Sequence, residues 1–452
     1  MSNMGNNMEH NTAKKRRAIE LGKDLLILLL CCTAVLLAMR GQLFASAPRL
    51  FGGQDTRQTG TVEPVSGIQA NAACPLRIAV SLPSTGGELA RLGLQYDPAA
   101  CQALFQQLAA PLAEALSAAD APEQISRQQW EQALSAAPGV VLDFQSPMPL
   151  PVLVHWLAGE DAGLTAQTRR LALYVQGDGL ALCWRDESSG DYFRARAQGV
   201  NTRALTDALS GLAPNGAQFA FENPDYDRLD PDTLILPQTT SMPVYSVSDP
   251  MGDGRDSLET LMGYLNISAD ASNFYSAGSE QVARSESDSL RLSQSGFAIY
   301  EAGEARSGRF PVPVRGDQTT LADGVEACRR LAAATAGLQC GQARLYLSGV
   351  TQGEDSLEVC FDYSLSGAPV QLSSGHAARF WVSQGQIVKF ELSFRSYAKQ
   401  ESTAALLPPR QAAAALAAEH PGHELLLVYG DTGSDAVSAD WAAAGITAQK
   451  EG

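Results

Sequence analysis

Few residues in this 452-residue chain have the type and spacing for chemistry, and each pattern they form lacks a part. Asp431, Thr432, Gly433 and Ser434 spell D-T-G-S behind the strand-like run LLLVY. A carboxylate-pair hydrolase needs two such aspartates sharing one proton. No second copy exists, so a Gly-Asp turn closing a strand is the expected role. Ser396 and Lys399 spell S-x-x-K, in which a lysine would serve an acylated serine at the start of a helix. Here the serine follows a strand and no lysine precedes Thr-Gly, which predicts a strand end with a solvated lysine. His420 and His423, in HPGH, supply two metal ligands where three or four are needed; a helix-stopping Pro-Gly turn is expected. His155 beside Trp156 reads as a core histidine. The acidic loop with Asp249, Asp253 and Asp256 lacks the alternating spacing and terminal glutamate of a calcium hand. G-x-S-x-G, Walker and H-E-x-x-H motifs are absent. The expectation is therefore no catalytic residue, no cofactor, no metal and no enzyme.

Cys74, Cys101, Cys183, Cys328, Cys340 and Cys360 are too sparse for a disulfide scaffold and form no C-x-x-C pair. Isolated buried thiols are expected, with Cys74–Cys101 and Cys328–Cys340 as the pairings left open.

The elements that must position these groups follow from local signals. A strand is predicted from Leu76 to Leu82, then a helix opened by Asp97 with Pro98 at its first position. A second helix starts at Ser126, where Gln129 completes a capping box. A strand from Val140 to Phe144, the proline-punctuated SPMPLP, and an apolar segment through His155 and Trp156 come next. Leu171–Val175 and Leu180–Trp184 flank a Gly-Asp-Gly turn and predict a hairpin. Further strands are expected at 234–236, 242–247, 288–293 and 297–300, beside a helix at 258–265. The last part predicts a helix at 321–335, strands near 343–348, 357–363, 378–383 and 386–394, a helix at 409–419 and a strand at 425–429. Many antiparallel strands with helices laid on one face make an α+β fold, not a doubly wound sheet. The expected parts are a tail (1–24), a membrane helix (25–46), a linker (47–73), and three mixed α/β units at 74–230, 231–316 and 317–449.

Charge gives the orientation. The chain holds 33 Lys and Arg against 49 Asp and Glu, a net charge of -16. Residues 1–24 are basic, with Lys14, Lys15, Arg16, Arg17 and Lys23, whereas the remainder carries 28 bases against 46 acids. A body this acidic excludes a nucleic-acid partner, and 45% apolar residues exclude a disordered chain. Leu25 to Met39 is uncharged and its apolar character resumes after Arg40, enough to cross a ~30 Å hydrocarbon core at ~1.5 Å per residue. The competing reading, a cleaved leader at Ala45–Ala47, is opposed by Pro48 at the first mature position. The basic flank places the N-terminus in the cytoplasm and the body outside. Ala34, Ala38 and Gly41 form a small-residue stripe, a candidate helix-helix contact.

Three segments carry a family resemblance: GVVLDFQSPMPLPVL (139–153), MGYLNISADASNFYSAGSEQVARSESDSLRLSQSGFAIYEA (262–302) and SLEVCFDYSLSGAPVQLSSGHAARFWVSQGQIVKFELSFRSY (356–397). With the tail, helix and three-part body, the chain from about residue 20 to 445 resembles the YycH/YycI family. These are membrane-anchored accessory regulators of the WalK/WalR cell-wall two-component system of Gram-positive bacteria. The shared motifs are packing and turn patterns, and this chain departs from them in its alanine content, its cysteines and its near lack of lysine. The resemblance implies a non-enzymatic regulator of a WalK-like sensor histidine kinase. Its helix would lie against the kinase's membrane helices, and its body against the kinase sensor or a YycI-like sister protein. The alternatives from other classes are an anchored binding or scaffold protein of the envelope and, less favoured, an envelope hydrolase.

Overall fold

Short runs rich in leucine, valine and alanine fold here into strands that pair antiparallel, apart from the parallel pair Ala368–Leu372 and Glu424–Asp431. The computed structural model describes residues 71–444 except 84–89, 160–162, 239, 253, 269–271, 286–287, 304–307 and 314–318. The tail, the expected membrane helix with Ala34, Ala38 and Gly41, and most of the linker lie outside the described residues. Among the described residues no helix is long and apolar enough to cross a membrane.

The first sheet is built from β1 (Arg77–Leu82), β2 (Ala90–Leu94), β3 (Glu123–Ile125), β4 (Gly139–Pro149), β5 (Gln167–Gln176), β6 (Gly179–Arg185) and β7 (Tyr192–Ala197). Their order is β2-β1-β4-β5-β6-β7-β3 with antiparallel pairing throughout. Helices α1 (Pro98–Ser117), α2 (Arg127–Ser135), α3 (Leu150–Ala158) and α4 (Thr202–Leu209) accompany it. Both expected N-termini hold: Asp97 accepts from the Ala100 N–H at 3.0 Å, and Ser126 and Gln129 exchange capping bonds of 3.2 and 2.8 Å. The proline-rich stretch ends β4, and the apolar segment after it is α3, which buries His155 and Trp156. Helices on one face alone do not describe this sheet. Every residue of β1 is buried, as are Gly179 to Trp184 of β6, so both faces are covered. One face packs Trp130, Ala133 and Leu134 of α2 on Ala79, Val141, Ala172 and Cys183.

The chain continues through β8 (Gln218–Phe219), β9 (Leu234–Ile235), β10 (Pro243–Ser248) and α5 (Arg255–Tyr264) into the meander β11 (Asn273–Ala277), β12 (Glu280–Arg284), β13 (Asp288–Ser293) and β14 (Phe297–Ala302). After α6 (Leu321–Ala334) and the short α7 (Ala336–Gln339) come β15 (Arg344–Gln352), β16 (Ser356–Leu365), β17 (Ala368–Leu372), β18 (Ala378–Ser383), β19 (Gln386–Ser393) and β20 (Ser396–Thr403). Last are α8 (Pro409–Glu419), β21 (Glu424–Asp431), β22 (Ala436–Val437) and β23 (Ala439–Ala444). β14 pairs with β19, so strands from both sides of residue 316 share one long sheet, β11-β12-β13-β14-β19-β18-β16-β17-β21-β23, with β15 beside β16. Stacked and edge-on rings of Tyr300, Phe310, Phe390 and Phe380 weld that junction, with centroids 4.9 to 5.9 Å apart. β20, β10 and β22 form a smaller sheet.

A close approach locks β20 to the end of α7. Gly341 has φ +63°, and a Cβ there would stand 2.4 Å from the Tyr397 carbonyl oxygen. A left-handed backbone costs an L residue about 1–2 kcal/mol even without such a clash. Gly341→Ala is therefore expected to destabilise the protein by more than 2 kcal/mol; an unchanged urea midpoint would contradict this packing.

Candidate functional site

The largest concentration of buried charge lies where the two long sheets meet. The apolar strands there carry charges at their rims: Arg77 opens β1, Asp143 interrupts VVLDF in β4, Arg169 and Arg170 precede LALYV in β5, and Glu424 opens β21. Successive residues of a strand point to opposite faces, yet Arg169 and Arg170 both reach the same carboxylates. The β4–β5 register breaks after Asp143, where Gln145 takes φ +73°, and a bulge of this kind re-aims side chains.

Asp143 meets Arg77 at 3.2 Å, Arg169 at 3.2 Å and Arg170 at 2.9 Å. Glu424 meets Arg77 at 3.3 Å, Arg170 at 2.7 Å and Arg169 on its other oxygen. Asp232 and Asp230 lie 3.9 and 4.0 Å from Arg170 and offset the third guanidinium. Asp232 also accepts from Trp130 at 3.0 Å and pairs with Arg127, which ties α2 to the cluster. The HPGH turn serves this centre: Gly422 donates to the Arg228 carbonyl and Asp230 to that of His423, which delivers the next residue, Glu424. Burial alone would raise the Asp143 carboxyl, but Arg169, Arg77 and Arg170 outweigh it and hold it far below the usual range. Glu424 is likewise lowered, burial being overcome by Arg169, Arg170 and Arg77. The centre ties β1, β4 and β5 of the first sheet to β21.

The sequence-predicted groups are dispersed. Asp431 ends β21, as expected of the D-T-G-S turn. Its two oxygens accept from Arg395, both at 2.9 Å, one also from Tyr397 at 2.8 Å and the other from the Gly433 N–H at 3.0 Å. Burial raises this carboxyl and those bonds more than reverse the effect, leaving it lowered. Asp249 of the acidic loop faces Arg395 as well, at 2.5 Å, and Asp253 lies outside the described residues. Ser396 and Lys399 both lie on β20, where residues three apart point to opposite faces. The rings of His420 and His423 are 5.6 Å apart, and among the described residues no cluster of three or more metal-ligating groups exists. All six cysteines of the body are free thiols. One grouping escaped the sequence reading: Cys360 and Asp362, two apart on β16, meet His376, whose Nδ1 is 3.0 Å from the Asp362 carboxylate. The hydrogen bond to Asp362, then that to Cys360, raises the imidazole to about 10. Burial pushes the Cys360 thiol up.

With this geometry in view, a solved structure can be matched to it. The crystal structure of YycH from Bacillus subtilis superimposes with a TM-score of 0.53 over 87% of this chain and 100% of its own, at 9% sequence identity. The chain has a YycH-type fold. No protein-family model and no curated protein matches its sequence. At 9% identity the likeness is one of fold. The expected α+β class with antiparallel sheets holds in that form.

Removing one partner from a buried ion cluster leaves the others unpaired and costs about 3–5 kcal/mol. Glu424→Ala is expected to lose that much in urea unfolding, and a loss below 1 kcal/mol would show the cluster to be incidental. The acid response has a definite sign. Carboxyls lowered by folding stabilise above their unfolded value near pH 4 and lose that contribution as pH falls through the folded value. Glu326, brought down to about 2 against its burial by Arg329 and Arg330, adds to the same window. The thermal midpoint is expected to drop steeply only below about pH 4, and one unchanged at pH 2 would contradict the assignment.

Proposed function

We propose that this protein is a non-enzymatic, membrane-anchored accessory regulator of a WalK-like sensor histidine kinase controlling cell-wall homeostasis. The reading is carried by the YycH-type fold, which spans the whole of the YycH chain it was matched with. Residues 25–46 cross the membrane once, the basic tail lies in the cytoplasm, and the acidic body stands outside on the linker 47–73. The stripe Ala34, Ala38 and Gly41 lets a neighbouring membrane helix approach closely. The body meets the kinase sensor or a YycI-like sister protein. Regulation is then a population shift: contacts stronger with one kinase conformation bias the equilibrium toward it. The engaged state of Asp431 and the arginine centre supports a binding role, since each of these charged groups already has a structural partner.

Cysteine crosslinking from Ala34→Cys and Ala38→Cys, in native membranes and in a chain with Cys31 and Cys32 replaced by Ser, is expected to trap a histidine kinase or a single-span sister protein. Recovery of neither, or full function after residues 25–45 are replaced by an unrelated apolar helix, would overturn the regulator reading in favour of an anchored scaffold.

A further inference from the structure

Sheet edges bare their backbone donors and acceptors, and natural proteins blunt them with charge, proline or cover. Most terminal strands here follow that rule. β2 is capped by one side chain: Asn215 Oδ1 accepts from the Gly93 N–H at 2.9 Å, its Nδ2 donates to the Gly93 carbonyl at 2.8 Å, and its own N–H donates to the Arg91 carbonyl at 3.0 Å. β3 carries Glu123, paired with Arg194 and Arg196; β15 carries Arg344, β20 Lys399 and Glu401, and β23 Asp440.

β11 is different. Its residues, Asn273, Phe274, Tyr275, Ser276 and Ala277, include no charge and no proline, and among the described residues it pairs only with β12. Four of the five are exposed, on both faces of the strand, and Tyr275 is 47% exposed. Phe274 is held beneath the Arg255 guanidinium at 4.4 Å, so the strand is braced on its α5 side. The register shows which backbone groups face outward. Ala277 and Glu280 flank the two-residue turn Gly278–Ser279, with Gly278 at φ +64°, and in such a hairpin that pair exchanges both its hydrogen bonds. Alternation then gives Tyr275 and Asn273 to β12 and turns the N–H and C=O of Phe274 and Ser276 outward. These are two donors and two acceptors about 7 Å apart, the repeat of one added strand.

We infer that β11 is a docking edge that takes an extended, non-acidic segment of a partner protein as the next strand of the long sheet. Only an extended backbone satisfies donors and acceptors at that spacing. The 46 acids against 28 bases beyond residue 24 oppose a second copy of this chain and favour a neutral or basic segment. Tyr275 supplies the cross-strand side-chain contact once the pairing forms. The inference concerns the body alone and stands apart from the membrane-helix contacts.

The test uses the full chain in its native membranes with the photoreactive residue benzoylphenylalanine in place of Tyr275, and mass spectrometry of the adducts. Expected are adducts at alternate residues of one short segment of another protein, cut at least tenfold by Ser276→Pro, which deletes an outward N–H and leaves the β12 ladder intact. Ser276→Lys, which charges the edge without touching the backbone, should reduce them as well, with an unchanged thermal midpoint. Adducts only to a second copy of this chain, no adducts, or adducts indifferent to both variants would overturn the docking edge.

Discussion

The architecture rests on five charges taken out of water together. Arg77, Arg169 and Arg170 converge on Asp143 and Glu424, with residues of the first sheet on one side and the opening residue of β21 on the other. Isolated, each would cost several kcal/mol to bury. Paired, they favour one relative placement of β4, β5 and β21, because guanidinium forks donate to carboxylates only in narrow geometries. Apolar packing alone would permit slippage between the sheets; the ion cluster defines the register of the contact. Tyr96 reinforces it from the end of β2, where its hydroxyl accepts from the Leu427 N–H at 2.9 Å.

The same principle governs the motifs that spell chemistry. Asp431 stands in a D-T-G-S turn, but Arg395, Tyr397 and the Gly433 N–H occupy its oxygens. Cys360, His376 and Asp362 match the residue types of a thiol nucleophile, base and orienter; the Asp362 carboxylate raises the imidazole, and burial raises the thiol. In each case a side chain from another part of the chain, invisible in the local string, engages the group.

That distinction also marks how much the amino-acid order revealed. The Asp97–Pro98 and Ser126–Gln129 helix starts, the Gly177–Gly179 hairpin and the α8–β21 succession were all legible, since each depends on residues a few positions apart. The helix in 150–158 was hidden by the prolines before it. β12, β17 and β23 were missed because they are short, exposed or alanine-rich, without clean alternation. The arginine centre was missed for a different reason: Arg77 and Glu424 are 347 positions apart, and single charges at the rims of apolar runs look like ordinary strand ends. The resemblance to the YycH/YycI family was legible in the string even though the matched YycH structure shares only 9% identity.

The pairing of β14 with β19 has a consequence in time. Between Ala302 and Gln386 lie roughly 80 residues, and chains grow at about 5–20 residues per second. The nascent meander β11–β14 therefore waits on the order of 4–16 s with both its outer ladders open before its native neighbour exists. During that interval it can be templated by any extended chain nearby, so the long sheet's correct closure depends on what surrounds the growing chain as much as on its own sequence.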